Sequence, residues 1–224
     1  MKTIIVFFLF IFSFNVFSQS SLRVIYSFLS NHETNKNEVN DINFTLLTNK
    51  QESIYQQNDK MINEGNLDRK ILLALAGKGI FYTSLIDSVK FKQTDLLGHE
   101  FLIKSPLDVY KWTLTNETKK IGKYLCYKAT TVWEEYNPMK KRTVKDKIVA
   151  WYTSEIPIPF GPAGYDGLPG LVLEINNKKG ILLVTSIEFV NKNKIRKPVS
   201  GEPVNIENYP DLLYKIAKKE FGFK

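Results

Sequence analysis

Residues Ile156–Gly170 read IPIPFGPAGYDGLPG and hold four of the chain's 9 prolines and four of its 12 glycines. Proline fixes φ and removes a backbone donor, so this stretch cannot pair as a central strand. Strong period-two patterns flank it on both sides. A sheet must therefore break here for a long and conformationally demanding connection. Asp166-Gly167 is a turn signal. Pro169-Gly170 fits the central positions of a type II turn, which predicts φ > 0 at Gly170. The glycines recur at every third residue, but so short a run with aromatic residues in it cannot form a collagen triple helix.

The flanking patterns read as strands. Leu125, Tyr127, Ala129, Thr131 and Trp133 are placed on one face, with Cys126, Lys128 and Thr130 on the other. Ile148–Thr153 pairs back across the charged stretch Glu134–Lys147. Leu171–Ile175 and Ile181–Phe189 form a hairpin about Asn176–Gly180. Earlier, Val24, Tyr26 and Phe28 alternate. Phe44 and Leu46 precede a turn at Asn49-Lys50, and Ile54 and Tyr55 answer it. Phe81–Leu85, Phe101–Lys104 and Trp112–Thr115 are shorter candidates. Such alternation sets one side of a sheet on a core.

Two helices are predicted. Leu67–Ala76 carries Leu67, Ile71, Leu72 and Leu75 at helical spacing with Gly77 as a stop, although Ile71–Leu75 also suits a buried strand. Near the C-terminus Asn208 is placed as a cap, with Pro210 and Asp211 in the first turn. Leu212, Leu213, Ile216 and Ala217 form a stripe, lysines follow, and Gly222 ends the helix. The expected fold is mainly β (α+β). It is a curved antiparallel sheet, with a half-barrel as one form it can take, covered by one or two helices including a C-terminal one.

The N-terminus carries Lys2, an apolar run Ile4–Phe12 and the pair Val16…Ser18. That layout predicts a secretory signal over residues 1–18, cleaved after Ser18. The run is too short for a membrane span, which needs about 20 apolar residues. Residues 19–224 are expected to form one domain, exported to the periplasm or secreted, and not an integral membrane protein. Cys126 is the only cysteine, so no internal disulfide is possible, and its strand position suits a buried apolar side chain. The formal net charge of +8 reflects lysines spread along the chain. No aromatic residues interleave with the basic clusters, which argues against a nucleic-acid partner.

Several stretches together resemble the GLPGLI family of exported Bacteroidota proteins. The motif itself stands as Gly167-Leu168-Pro169-Gly170-Leu171-Val172, with Val where the family name has Ile. Trp112–Lys120, Gly122–Thr131, Ala150–Pro157 and Gly161-Pro162…Tyr165-Asp166-Gly167 also match. The likeness is specific over Trp112–Leu173. It implies an exported, mostly antiparallel β protein and supplies no reaction, because the family is largely uncharacterised.

The sequence holds no pattern for a cofactor or metal. His32 and His99 lack a second ligand at metal spacing. No nucleophile elbow, P-loop or dinucleotide fingerprint occurs, and no catalytic residue is assigned. The candidate ligand or partner residues are Trp151, Tyr152, Phe160, Tyr165, Asp166, Gly167, Leu168, Pro169 and Gly170. The same loop also reads as a structural corner plugged by Leu168 and Leu171. Three functions follow. The first is a non-enzymatic binding protein for an apolar or peptide-like ligand. The second is an interaction protein for an outer-membrane transport or assembly system. The third is a hydrolase using Glu155, Asp166 and Glu174. A pocket, an exposed apolar patch at Phe160 and Leu168, or convergent carboxylates would separate them.

Overall fold

The computed structural model describes residues 21–31, 42–58, 73, 75–96, 98–137, 140–191 and 194–222. The predicted signal over residues 1–18 lies outside them, as does His32.

Twelve strands are present among the described residues: β1 Ser21–Ser30, β2 Asn43–Thr48, β3 Glu52–Gln57, β4 Ile80–Ser84, β5 Val89–Leu96, β6 His99–Ser105, β7 Thr113–Ile121, β8 Tyr124–Asn137, β9 Arg142–Thr153, β10 Leu171–Asn177, β11 Gly180–Val190 and β12 Glu202–Asn205. They form one sheet in the order β12-β6-β5-β4-β3-β2-β1-β11-β10-β9-β8-β7. Every pairing is antiparallel except that of β12 with β6, which is parallel. The first and second halves of the chain meet where β1 pairs with β11.

Residues opposite one another across a ladder share a face, and one face carries most of the core. Tyr26 stands opposite Phe44 and Val24 opposite Leu46. Leu46 stands opposite Tyr55, and Ala150 lies opposite both Ala129 and Ile175. All of these are buried. Tyr55 stacks on Phe44 at 5.3 Å and meets Tyr26 edge-on at 6.2 Å. The Tyr26 hydroxyl donates to the Val172 carbonyl at 2.6 Å, so this face is also tied to the β10 backbone.

Several expectations change in detail. The charged stretch Glu134–Lys147 is not a bare connection, because β8 runs on to Asn137 and β9 begins at Arg142. Glu134 pairs with Lys145 within those arms. The Leu125–Trp133 stripe does not stay inside: Leu125 is 40% exposed while Cys126 is fully buried. The β8–β9 register starts at Tyr127, so Leu125 has a neighbour only on the β7 side. In β10 the alternation breaks at a bulge between Val172 and Glu174, and Val172 and Leu173 are both buried.

Leu73, Leu75 and Ala76 are helical, which excludes the strand option there, and Gly77 follows at φ +94°. Leu67, Ile71 and Leu72 lie outside the described residues. The C-terminal helix α1 spans Tyr209–Phe221 and ends at Gly222 with φ 65°. Asn208 makes no side-chain cap. Its backbone N–H bonds to the Asn205 carbonyl, so the turn after β12 already holds the helix start. The predicted stripe of α1 is only half-buried, and Tyr209 meets Phe101 edge-on at 5.5 Å.

Candidate functional site

The connection from β9 to β10 covers the buried face of the sheet, and its prolines explain its path. The N–H of Ile158 bonds back to Ile156 across Pro157, and Phe160 bonds to Ile158 across Pro159. Gly170 bonds to Leu168 across Pro169 in the same way. An inverse γ-turn needs its central residue near φ −75°, which proline favours. The loop is thus a chain of tight turns. A short 3-10 turn, Pro162–Gly164, lies at its middle. The Leu171 N–H bonds to Ile156 and the Val172 N–H to Phe160, so both ends are zipped together.

The type II turn predicted at Pro169-Gly170 is therefore not the one formed. The Leu171 N–H that would close it is taken by Ile156, and Gly170 sits at φ 157°. Glycine is needed for space: a Cβ there would lie 2.1 Å from the Thr153 carbonyl oxygen.

Asp166 anchors the loop. Its Oδ1 accepts from the Gly161 N–H at 2.9 Å, and its Oδ2 accepts from the Thr83 hydroxyl at 2.7 Å. Lys90 Nζ lies 3.3 Å from Oδ2 and donates to the Gly164 carbonyl at 2.6 Å. Both side chains are about 95% buried, at 6% and 5% exposure. The Trp112 indole N–H donates to the Asp166 carbonyl at 2.9 Å. Strands β4 and β5, the segment before β7, and the loop itself all converge on this one residue.

The nine candidate residues divide. Phe160, Leu168 and Asp166 are buried, with Leu168 at 1% exposure, whereas Pro169 is exposed and Gly170 is buried against the Thr153 backbone. Tyr152 is on the core face beside Tyr127, at 6.0 Å. Tyr165 joins Tyr110 at 4.9 Å and accepts a hydrogen bond from Asn177; burial pushes its hydroxyl up to about 12. Gly167 has open space about its Cα at φ +93°. Trp151 faces the opposite side of the sheet, under Lys119 at 4.5 Å. The three carboxylates do not converge. Glu174 pairs with Lys119 on the Trp151 side, and Glu155 accepts from the Leu125 N–H. His99 is exposed and stacks on Phe101.

A cavity of about 270 Å³ borders the loop, lined among others by Phe81, Lys92, Tyr110, Trp133, Asp146 and Tyr165. Its lining comes from β4–β6 and from β8–β9, strands far apart in the sheet order, with Phe28, Ile175 and Leu182 of β1, β10 and β11 between them. A more open groove of about 450 Å³ lies between α1 and the tip of the β8–β9 hairpin, away from the loop.

Lys90, Lys92, Thr83 and Tyr110 were not among the sequence candidates. In Val89-Lys90-Phe91-Lys92 the apolar residues alternate with lysines, and the usual reading sends the lysines to solvent. Pairing reverses it, because Lys90 lies opposite Thr83 and Lys92 opposite Phe81 on the core-bearing face. The available signal was Asp166, an acid inside an apolar loop that needed a buried cation.

A family model described as a protein of unknown function (Porph_ging) matches residues 112–174. That span opens at Trp112 and contains its acceptor Asp166, but Thr83 and Lys90 lie before it. None of the curated proteins matches. Among solved structures, the chain is similar to PNGF-II in two crystal forms. One has 14% identity and a TM-score of 0.54, the other 15% and 0.59. Each alignment covers 88% of this chain and 33% of that one, so the chain spans about a third of the length of PNGF-II. At such identity the likeness shows the fold alone: a mainly β protein with one large, mostly antiparallel sheet.

Proposed function

We propose that this chain is an exported, non-enzymatic binding protein of the periplasm or cell surface, holding a small apolar or peptide-like ligand in the cavity beside the Pro/Gly loop. The carrying observation is the cavity itself. It holds about 270 Å³, just below the usual range of about 300–1,000 Å³ for small-molecule sites. Aromatic rings and a few polar groups line it, as ligand sites require. Its lining joins strands far apart in the sheet order, which supports a half-barrel closing round a ligand. The Gly167–Val172 motif and the matched span 112–174 support membership of the GLPGLI family. The charged and apolar N-terminal segment supports export.

The loop as a partner surface has less support. Leu168 and Phe160 are 1% and 0% exposed, so the apolar patch that reading requires is absent among the described residues. A hydrolase would need carboxylates in one cleft, and Glu155, Asp166 and Glu174 stand apart. The test is native mass spectrometry of protein purified from its own source. A retained small molecule, released on denaturation, is the expected result. A bare polypeptide mass, with no thermal shift against a panel of small amphipathic compounds, would overturn the reading.

A further inference from the structure

Lys90 and Lys92 project from the same face of β5, two residues apart, yet their surroundings differ. The Lys90 ammonium is satisfied by Asp166 at 3.3 Å and the Gly164 carbonyl at 2.6 Å, with the Tyr110 ring 5.4 Å away. Lys92 is half-buried in the cavity wall, and its Nζ stands 5.2 Å from the centre of the Phe81 ring. Among the described residues no carboxylate lies within ion-pair distance of it and no acceptor bonds to it. The other charges on the cavity wall do not change this. Asp146 is engaged by Lys178, through its backbone N–H at 3.2 Å and its ammonium at 3.9 Å. Glu135 is exposed on β8, and Lys179 adds a further positive charge. Burial, then the like charge of Lys179, brings the Lys92 amine down to about 8, while Glu135 opposes that shift. The amine is thus still charged near neutral pH.

A cation drawn out of water without a counter-ion is costly. A carboxylate in the cavity would relieve that cost with a short, charge-assisted hydrogen bond. Besides Phe81 beside Lys92, the rings of Tyr110, Trp133 and Tyr165 line the cavity, and together they suit an apolar body. We infer that the cavity takes a small amphipathic carboxylate, its anionic group on Lys92 and its apolar part among these rings. This rests on the binding-protein reading of the same cavity and specifies its ligand.

The experiment compares octanoate with the uncharged octanamide by isothermal titration calorimetry, on the full chain and on Lys92→Met. The wild type is expected to bind octanoate roughly tenfold or more tightly than octanamide, in line with one charge-assisted hydrogen bond. Lys92→Met should lose that preference while still binding octanamide. Equal binding of both probes by the wild type overturns the assignment, whether or not the variant folds. A preference that survives in Lys92→Met overturns it also. The native-source measurement keeps the two failures apart. A retained uncharged ligand sinks the carboxylate and leaves the binding protein standing, whereas no retained ligand and no binding of either probe sinks both.

Discussion

The Lys90 ammonium sits 3.3 Å from the Asp166 carboxylate, with both side chains about 95% buried at 6% and 5% exposure. Strand β5 and the β9–β10 loop are six strands apart in the sheet order, and this pair joins them. Breaking such a pair leaves a lone buried charge, which is worse than never having had one. Asp166→Ala should therefore cost on the order of 3–5 kcal/mol. The double variant Asp166→Ala with Lys90→Met should recover part of that. Urea unfolding of the single and double variants measures both, and additive losses would show that the two residues are uncoupled.

Leu168 lies beneath the loop at 1% exposure. Leu168→Ala is expected to lower stability by about 2–5 kcal/mol, the cost of a cavity at a site that cannot collapse. A melting temperature equal to the wild type would show that the loop is held by its backbone turns and by Asp166 alone.

Gly170 and Gly167 make a matched pair. A methyl group at Gly170 would collide with the Thr153 backbone at 2.1 Å, whereas at Gly167 nothing lies within 4 Å and only the φ of +93° is unfavourable. Gly167→Ala should cost about 1–3 kcal/mol for backbone strain, and Gly170→Ala distinctly more. Thermal denaturation of the two variants decides the order, and the reverse ranking would mean that the 153–154 backbone gives way.

Lys92 carries a pH signature. Its folded value of about 8 lies below the ordinary lysine value of 10.5. Between these limits the unfolded chain holds the extra proton, so stability from this group rises with pH. It is fully present above the unfolded value and is lost as pH falls through the folded one. Lys92→Met should therefore exceed the wild type in melting temperature by most below pH 8, and the gap should shrink towards pH 10. Comparing the two proteins removes the opposing contribution of buried tyrosines such as Tyr165, which is raised to about 12. A gap constant with pH would place the Lys92 ammonium in solvent.

Cys126 should be inert in the native protein. It is fully buried, and burial pushes its thiol up to about 11, so little thiolate exists at neutral pH. Labelling by a thiol reagent should follow global unfolding. Rapid labelling without denaturant would contradict this.

Much of the sheet was legible in the residues themselves. The hairpins Asn43–Gln57 and Leu171–Val190, the long strand through Tyr127–Trp133 and the helix ending at Gly222 all follow from period-two or helical spacing and from turn chemistry. These are local properties, decided within a few residues by φ/ψ preference and by which side chains avoid water. The Pro/Gly loop was visible for the same reason, and Leu168 could be placed inside because an apolar residue between two turns needs somewhere to be buried.

Pairing across the chain was beyond such reasoning. Residues 83, 90, 110 and 112 gather around Asp166 because β1 closes against β11 and brings the two halves of the chain together. Only that closure turns Lys90 and Lys92 inward, since alternation states that two residues share a face but not which face will be covered. The same holds for Gly170, where the local pattern requires a glycine and the nearby Thr153 carbonyl, which no spacing reveals, supplies the reason. Residue pattern alone marked most of the strands and the Pro/Gly loop, through short-range sterics and hydrophobic periodicity, but neither β5 nor β12 nor the turn that Pro169-Gly170 forms. The tertiary structure alone decided which charge is paired and which faces the cavity, because electrostatic partners and burial depend on contacts between residues distant in the chain.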